Sequence, residues 1–331
     1  MLPIIDFAAV RAHDPAGTCV AAAEIRAACL TSGFFYIGNH GIAQEIIEAV
    51  HTEGQRFFRQ PLDVKRQAAV NARHRGFNAL GDALMYEARK PDYKEFFSVG
   101  LDLPEGDPDV LAGEKLRGPN NWPPDMAGFR VALETYYAAM LACGADLMRA
   151  VAVSLDLVPD FFVPRYLKPL QRTQIVYYPP QPPELGGDQF GVAPHTDFGC
   201  ITLLWQDDNG GLEVLNRSSG AWIPAPPIPG TLVINVADLL ARWTNDRYAS
   251  TPHRVINRSG RERLSIATFH DPDYKALVDP RDLGTSAAEC RYEPILAGNH
   301  IVGRIERSFG YRKRLATTDS HHKPASHGEQ E

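Results

Sequence analysis

The spacing of hydrophobic and polar positions changes about halfway along the chain. Before residue 172, apolar side chains recur at the helical interval in three stretches, which predict helices over residues 18–30, 43–58 and 125–155. Short apolar runs predict strands over residues 2–7, 34–37 and 93–99. After residue 172, short runs of β-forming residues separated by Pro and Gly predict strands over residues 173–178, 199–205, 212–215, 221–224, 231–236, 253–257 and 264–269. A last helix is predicted over residues 299–309.

Regularly spaced short strands with turn residues between them are typical of a sandwich or barrel of the jelly-roll type. Helical stretches flank this region on the amino-terminal side. The predicted fold class is therefore α+β and rich in β-structure, with a jelly-roll core and flanking helices.

Composition narrows the class of protein further. The chain has 331 residues, 44% of them hydrophobic, which is enough for one large core or two modest ones. Its net charge is −6 and its Lys and Arg residues are scattered, which argues against nucleic-acid binding. No apolar run is expected to approach the length of a membrane span, and the start of the chain lacks the features of a signal peptide.

The cysteines predict the compartment. Their number is odd, they are widely spaced, and no two form a Cys-x-x-Cys pair; they are Cys19, Cys29, Cys143, Cys200 and Cys290. This usage is typical of free thiols in a reducing environment. We therefore expect a cytoplasmic location.

A candidate metal site lies just before the strand predicted over residues 199–205. His195 and Asp197 are two residues apart, and on a strand they would point to one face. A surface turn with a capping Asp is the alternative for this pair alone. His253 offers a third ligand, and two histidines with one carboxylate form the facial triad of non-haem Fe(II) oxygenases, which leaves the opposite side of the metal open.

A second pair at strand spacing follows His253. Arg263 and Ser265 stand at the start of a predicted buried strand. A buried guanidinium needs an anionic partner and suits a carboxylate in bidentate geometry. That partner is either a ligand or an Asp or Glu inside the protein, and the two possibilities stay open at this point.

These residues, in this order and spacing, resemble the Fe(II)- and 2-oxoglutarate-dependent dioxygenases of the isopenicillin N synthase-like family. The resemblance runs from residue 2 to about residue 275. It includes the Gly-Phe-Phe and Asn-His-Gly segment at residues 33–42, and shorter matches at residues 2–7, 94–97, 121–123, 177–179 and 243–246. Several dispersed motifs in one order make a chance match improbable.

The resemblance implies a double-stranded β-helix with the metal near its open end, and Fe(II), 2-oxoglutarate and O2 as cofactor and cosubstrates. It implies that His195, Asp197 and His253 bind the metal, and that Arg263, Ser265 and the Tyr178 hydroxyl bind the far carboxylate of 2-oxoglutarate. The implied reaction hydroxylates or otherwise oxidises a C–H bond of a small organic molecule and releases succinate and CO2. The sequence departs from the family at Val176, where Asn is usual.

The resemblance also divides the chain into an amino-terminal region (residues 1–120), a support-helix region (121–168), the jelly-roll core (169–275) and a carboxy-terminal extension (276–331). The tail at residues 317–331 is polar and is expected to be disordered.

Candidate substrate-pocket residues are apolar or aromatic, and core packing is the alternative role for each of them. They are Phe77, Met85, Tyr86, Phe97, Trp205 and Phe269. The expected partner is a small-molecule substrate, with no nucleic acid, membrane or obligate protein partner.

Three other functions remain open at this stage. Isopenicillin N synthase and aminocyclopropane-carboxylate oxidase share the triad and the Arg-x-Ser pair but do not use 2-oxoglutarate. A catalytically silent metal-binding protein could have the same scaffold. A zinc hydrolase would also use His and Asp ligands, although no Glu base is evident near them.

Overall fold

The computed structural model describes residues 1–82, 90–182, 185–186 and 189–308. Met85, Tyr86 and the tail at residues 317–331 lie outside these residues. The α-helices of the described part are α1 (Ala8–Arg11), α2 (Pro15–Thr31), α3 (Gln44–Phe58), α4 (Leu62–Lys65), α5 (Pro108–Leu111), α6 (Ala127–Ser154), α7 (Asp238–Trp243) and α8 (Ala297–Ser308).

The β-strands of the described part are short, as the spacing of apolar runs predicts. They are β1 (Ile4–Asp6), β2 (Phe34–Gly38), β3 (Gly76–Asn78), β4 (Glu95–Gly100), β5 (Arg172–Tyr178), β6 (Val192–His195), β7 (Ile201–Gln206), β8 (Leu212–Leu215), β9 (Trp222–Pro224), β10 (Thr231–Val236), β11 (His253–Val255), β12 (Arg263–His270), β13 (Leu277–Val278) and β14 (Ile295–Leu296).

Two mainly antiparallel sheets form the core of the fold. The larger has the strand order β1-β2-β10-β7-β12-β5-β4-β3, and the smaller has the order β6-β11-β8-β9. From β5 to β12 the chain passes back and forth between the two sheets in the manner of a jelly roll, and the ladder between β12 and β5 pairs seven consecutive residues from Arg263 to Phe269. This confirms the predicted α+β class with a jelly-roll core.

Both faces of the larger sheet are buried. Helix α3 packs on the outer face, where a Cβ atom on Gly54 would lie 3.1 Å from Ile175 and 3.3 Å from Leu264. The inner face borders a chamber between the two sheets, and β12 presents Arg263, Ser265, Ala267 and Phe269 to it at every second position. The candidate site is therefore inside the sandwich.

Helix α2 begins earlier than its apolar spacing indicates. Its first residue is Pro15, which has no N–H group to leave unsatisfied at a helix start. The Asp14 carboxylate accepts hydrogen bonds from the backbone N–H groups of Ala16 and Gly17. This cap fixes the start of the helix at a point that carries no apolar signal.

Helix α6 corrects one expectation. Its length and apolar composition would suffice to cross a membrane, contrary to the prediction that no apolar run reaches that length. Ala and Gly residues among the larger side chains keep the whole stretch apolar. The helix packs against α2, α3 and β12, and at Gly144 a Cβ atom would lie 2.6 Å from Nδ1 of His270, so the glycine permits the helix to approach β12 closely.

Strand β6 is not predicted by the sequence pattern. It contains Pro194, which cannot donate to a ladder and therefore indicates a loop. The strand lies at the edge of the smaller sheet and pairs only with β11 among the described strands, so the missing donor at Pro194 is tolerated.

Candidate active site

Three potential metal ligands converge at one end of the chamber. Nε2 of His195 lies 3.6 Å from Oδ1 of Asp197, and Nε2 of His253 lies 3.8 Å from the same oxygen. The three ligand atoms all lie within 4.8 Å of one another. Two imidazole nitrogens and one carboxylate oxygen at this separation fit a single divalent ion bound on one side, the facial arrangement of non-haem iron sites.

The structure brings these residues together in a way that differs from the expectation. Strand β6 ends at His195, and Asp197 lies in the loop before β7, so the two do not share one face of a strand. The loop is fixed by backbone hydrogen bonds from Asp238 and Leu239, at the start of α7, to the carbonyl groups of Asp197 and Gly199. His253 is the first residue of β11 and pairs directly with His195 across the ladder.

Backbone carbonyl groups orient both imidazoles. Nδ1 of His195 lies 2.8 Å from the Ala193 carbonyl oxygen, and Nδ1 of His253 lies 3.3 Å from that of Thr251. A carbonyl oxygen only accepts, so each Nδ1 carries a proton, and the neutral imidazole in this tautomer has its lone pair on Nε2. Both lone pairs are therefore available at the metal position.

The second oxygen of Asp197 is held by two side chains from neighbouring strands. Oδ2 accepts hydrogen bonds from the Thr202 hydroxyl at 2.6 Å and from the Asn235 amide at 2.9 Å. Burial favours the neutral acid, but the neighbouring imidazoles and the Thr202 hydroxyl outweigh it and lower the pKa of Asp197 below its usual value. The carboxylate is thus ionised and has Oδ1 free to face the metal position.

His253 is suited to bind a metal as a neutral imidazole. Burial, reinforced by the nearby His195, lowers the pKa of His253 to about 4. The edge of the Phe34 ring packs against the imidazole, with the ring centroids 5.3 Å apart. At neutral pH no proton competes for its Nε2 lone pair.

Arg263 forms the opposite, cationic end of the chamber. It is 1% exposed, and its Nη1 and Nη2 atoms donate to Ser265 Oγ at 3.2 Å and to Gln206 Oε1 at 3.1 Å. Among the described residues it forms no salt bridge. The nearby Asp207 carboxylate accepts from the backbone N–H groups of Leu264 and Asn209 instead. A buried guanidinium with neutral partners is placed to receive an anionic ligand.

Tyr178 completes this end of the chamber. The Arg263 guanidinium lies over the Tyr178 ring, 4.6 Å from its centroid, and the two residues pair across the β12–β5 ladder. This contact fixes the plane of the guanidinium. The role of the Tyr178 hydroxyl stays a prediction.

The substrate-pocket predictions divide. Phe269 lines the chamber. Phe77 and Phe97 face outward and pack against Phe57 of α3, and Trp205 also faces outward, with its ring 5.4 Å from that of His51. The structure thus places these three side chains outside the chamber, because large apolar side chains fill the layer between the sheet and the helices as readily as the chamber, and their contact with a substrate stays a prediction.

Several chamber residues escape the sequence reasoning. Thr202 and Asn235, which hold Asp197, and Gln174 and Lys94 line the chamber as well. Each is a polar residue within or beside an otherwise apolar run, which is the signal that could have identified it.

Lys94 and Glu95 are adjacent and opposite in charge, but they do not pair with each other, because neighbouring residues at a strand point to opposite faces. Lys94 pairs with Asp92 on the chamber side, and Glu95 pairs with Lys65 on the other side.

A jelly-roll sandwich that holds a two-histidine, one-carboxylate cluster opposite a buried arginine defines a class of protein, the non-haem iron oxygenases. Comparison with known proteins narrows this class. Residues 2–125 match the family described as "non-haem dioxygenase in morphine synthesis N-terminal", and residues 169–272 match the 2OG-Fe(II) oxygenase superfamily.

Named relatives agree with these matches. The chain is 34% identical over 333 residues to the 2-oxoglutarate-Fe(II) type oxidoreductase hxnY of Emericella nidulans, a match that covers 97% of this chain and 95% of that protein. It is similar to a full-length Neurospora crassa protein whose crystal structure contains alpha-KG and thymine, with 29% identity, a TM-score of 0.80, and 96% and 97% of the two chains covered. A structure of JOX2 in complex with 2OG, Fe and JA gives 28% identity, a TM-score of 0.77, and coverage of 93% and 86%.

The chain belongs to the 2OG-Fe(II) oxygenase superfamily. It is a 2-oxoglutarate-dependent dioxygenase that uses Fe(II), 2-oxoglutarate and O2. Relatives of this chain are named 2-oxoglutarate-dependent dioxygenases. These names favour the dioxygenase function over an oxidase that does not use 2-oxoglutarate, a silent binding protein or a zinc hydrolase.

Proposed function

We propose that His195, Asp197 and His253 hold the Fe(II) ion, and that Arg263 with Ser265 binds the far carboxylate of 2-oxoglutarate. The observation that carries this assignment is that one chamber contains both a three-ligand cluster and a buried Arg without an acidic partner among the described residues. A dicarboxylate that chelates a metal at one end and pairs with a cation at the other matches this arrangement.

Iron bound at this cluster would supply O2 activation coupled to the oxidative decarboxylation of 2-oxoglutarate to succinate and CO2. The residues of the chain contribute by orienting the metal ligands and by excluding water. Thr202 and Asn235 hold Asp197 so that one oxygen faces the metal. The apolar walls, which include Phe34 and Phe269, exclude water from the oxidising site.

We further propose that the substrate is a small organic molecule oxidised at a C–H bond. Support comes from similar proteins whose structures contain thymine or JA, and from the aromatic side chains beside the metal cluster. No nucleic acid, membrane or obligate protein partner is part of this proposal. Hydroxylation and other oxidative outcomes share the same arrangement of residues.

Two sequence expectations remain part of the proposal. Of the division into residues 1–120, 121–168, 169–275 and 276–331, the core at 169–275 is supported by β5 to β12, which alternate between the two sheets, although β1 to β4 of the first region extend the larger sheet. A cytoplasmic location is supported by five free cysteines. Fractionation of cells that produce the natural protein would test the location.

An anaerobic titration tests the site assignment. Metal-free protein receives Fe(II) and then 2-oxoglutarate, and visible absorbance is recorded. A charge-transfer band after addition of 2-oxoglutarate is expected. Asp197→Ala should abolish the band, while Asp63→Ala, a change at an exposed acid in α4, should leave it intact. A band of full intensity in Asp197→Ala would refute the ligand assignment.

A further inference from the structure

A buried lysine faces the same chamber and has no part in the site described so far. Lys94 is 8% exposed and lines the chamber together with His195, His253 and Arg263. Its Nζ atom lies 3.1 Å from Oδ2 of Asp92. The chamber therefore contains a second buried cation besides the arginine.

The Lys94 ammonium has hydrogen-bonding capacity that the protein does not use. An ammonium has three N–H donors. Across the described residues, Nζ forms an ion pair with Asp92 but no hydrogen bond, and the centroid of the Phe96 ring lies 5.6 Å from it. A buried ammonium is costly unless its donors are satisfied, so these donors indicate a ligand with acceptor atoms.

A neighbouring pair shows what a purely structural lysine does in this fold. Lys65 is 6% exposed and donates both to the Glu95 carboxylate and to the Phe58 carbonyl oxygen, on the outer side of β4. It does not line the chamber. Lys94 differs from Lys65 because it faces the chamber and because, among the described residues, it forms an ion pair but no hydrogen bond.

The position of Lys94 connects the two ends of the site. Glu95 pairs with Tyr177 across the β4–β5 ladder, which brings Lys94 level with Tyr178 and hence with the ring that supports Arg263. Asp92, which holds Lys94, also accepts a hydrogen bond from the Ala193 N–H group in β6, the strand that ends at His195. Lys94 is thus next to the strand that carries Tyr178 and, through Asp92, is connected to the strand that ends at His195.

We infer that Lys94 binds a carboxylate of a ligand in this chamber, an inference that rests on the proposed function. The Asp92–Lys94 ion pair orients the ammonium, and N–H groups of the ammonium donate to the carboxylate oxygens of the ligand. The carboxylate belongs either to 2-oxoglutarate or to the organic substrate, and the chemistry of recognition is the same for both. One lysine would then add a charge-assisted contact to the chamber.

The test uses the full-length protein loaded with Fe(II) under anaerobic conditions. Lys94→Met removes the cation, and the double variant Asp92→Asn/Lys94→Met removes it without leaving an unpaired buried carboxylate. The first arm measures the Kd of 2-oxoglutarate from the charge-transfer band. The second arm measures how benzoate, phenylacetate and indole-3-acetate, each against its neutral amide, perturb that band at saturating 2-oxoglutarate.

The expected effect is a loss of about 10- to 100-fold in affinity for the carboxylate, the range for one hydrogen bond to a charged group. A rise of this size in the Kd of 2-oxoglutarate assigns the carboxylate to the cosubstrate. An unchanged Kd, with loss of the preference for acids over amides, assigns it to the substrate. If neither quantity changes, or if the wild type shows no preference for acids and 2-oxoglutarate binds the variants normally, the inference is wrong.

Two controls separate the possible failures. The double variant Lys65→Met/Glu95→Gln removes the structural pair on the other side of β4 and should lower thermal stability without affecting either arm. Lys94→Arg should restore most of the lost affinity because it keeps the charge. Absence of the band in the wild-type protein would refute the proposed function itself, whereas a normal wild-type band with unaffected Lys94 variants refutes only the role of Lys94.

Discussion

Replacement of Arg263 by Met separates a ligand-binding role from a structural one. The side chain is 1% exposed, and its donors reach Ser265, Gln206 and the Gly210 carbonyl oxygen, all of them neutral. Methionine is similar in length and uncharged, so Arg263→Met removes the cation with little change in volume. If the guanidinium exists to bind 2-oxoglutarate, its loss should weaken the cosubstrate much more than it weakens the fold.

The structure sets the size of the expected effect. A guanidinium that receives a carboxylate in bidentate geometry makes two charge-assisted hydrogen bonds, each worth about 1.5–3 kcal/mol. The loss of both should cost about 3 kcal/mol or more, which is at least about a hundredfold in Kd. Arg263→Lys keeps the charge but not the planar fork, so it should lie between the wild type and Arg263→Met. Anaerobic titration with 2-oxoglutarate, followed by the charge-transfer band, measures each Kd.

Stability supplies the second readout. Arg263 lacks an acidic partner among the described residues, so Arg263→Met should change the free energy of unfolding of the ligand-free protein by less than about 1 kcal/mol, or raise it, because a buried unpaired charge is unfavourable. Arg172, by contrast, pairs with the buried Asp271 at 3.1 Å. Arg172→Met should cost about 3–5 kcal/mol, since it leaves a buried carboxylate alone. A large loss of stability in Arg263→Met with an unchanged Kd would refute the reasoning and make Arg263 structural.

Three further predictions concern iron binding, packing and pH. Asn235→Leu removes one of two side-chain hydrogen bonds to the Asp197 carboxylate and, if that carboxylate binds Fe(II), should weaken Fe(II) binding about 10- to 100-fold in a competitive titration; equal affinity would contradict the orienting role. Phe97→Ala should cost about 3–5 kcal/mol in urea unfolding, and Phe269→Ala, at the chamber wall, less than half of that; equal costs would contradict the packing described above. Burial lowers the pKa of His270 to about 3, so below about pH 6.5 the unfolded chain binds a proton at this residue that the folded protein does not bind. Stability should therefore fall as the pH decreases from 6.5 towards 3. His270→Gln should reduce the loss of stability between pH 7 and pH 5 by about 2 kcal/mol, whereas the exposed-site control His13→Asn should show the same loss as the wild type.

The metal cluster and the anion pair were predictable because their chemistry is restricted to few residue types. His195 and Asp197 lie in one short stretch and His253 follows much later in the sequence, and the structure brings all three together. The geometric reason given for the first two was nevertheless wrong, because β6 ends at His195 and a loop positions Asp197. A spacing of two residues is compatible with a strand and with a strand end followed by a loop.

The aromatic wall of the chamber was not predictable to the same degree. Phe97 and Phe269 are both large apolar residues in apolar strands, yet one packs under helix α3 and the other lines the chamber. Both faces of the larger sheet are buried, one by helices and one by the opposing sheet, so apolar character does not distinguish them. The start of α2 at Pro15 escaped prediction for a related reason, since capping by Asp14 depends on polar contacts rather than on apolar spacing.

Polar residues inside such strands distinguish the two faces once the register is known. Thr173 and Thr268 lie directly opposite each other on β5 and β12, and their hydroxyl groups bond at 3.0 Å, so they satisfy each other. Arg263 has no such partner at its register position, which is occupied by Tyr178, and its charge is directed into the chamber. On these two strands, therefore, the Thr268 hydroxyl is satisfied within the ladder, whereas the Arg263 guanidinium is paired neither by its register partner nor by an acidic side chain among the described residues. Register depends on pairing between residues that are far apart in the sequence. The sequence therefore indicates which residues carry the chemistry but not the direction in which their side chains point.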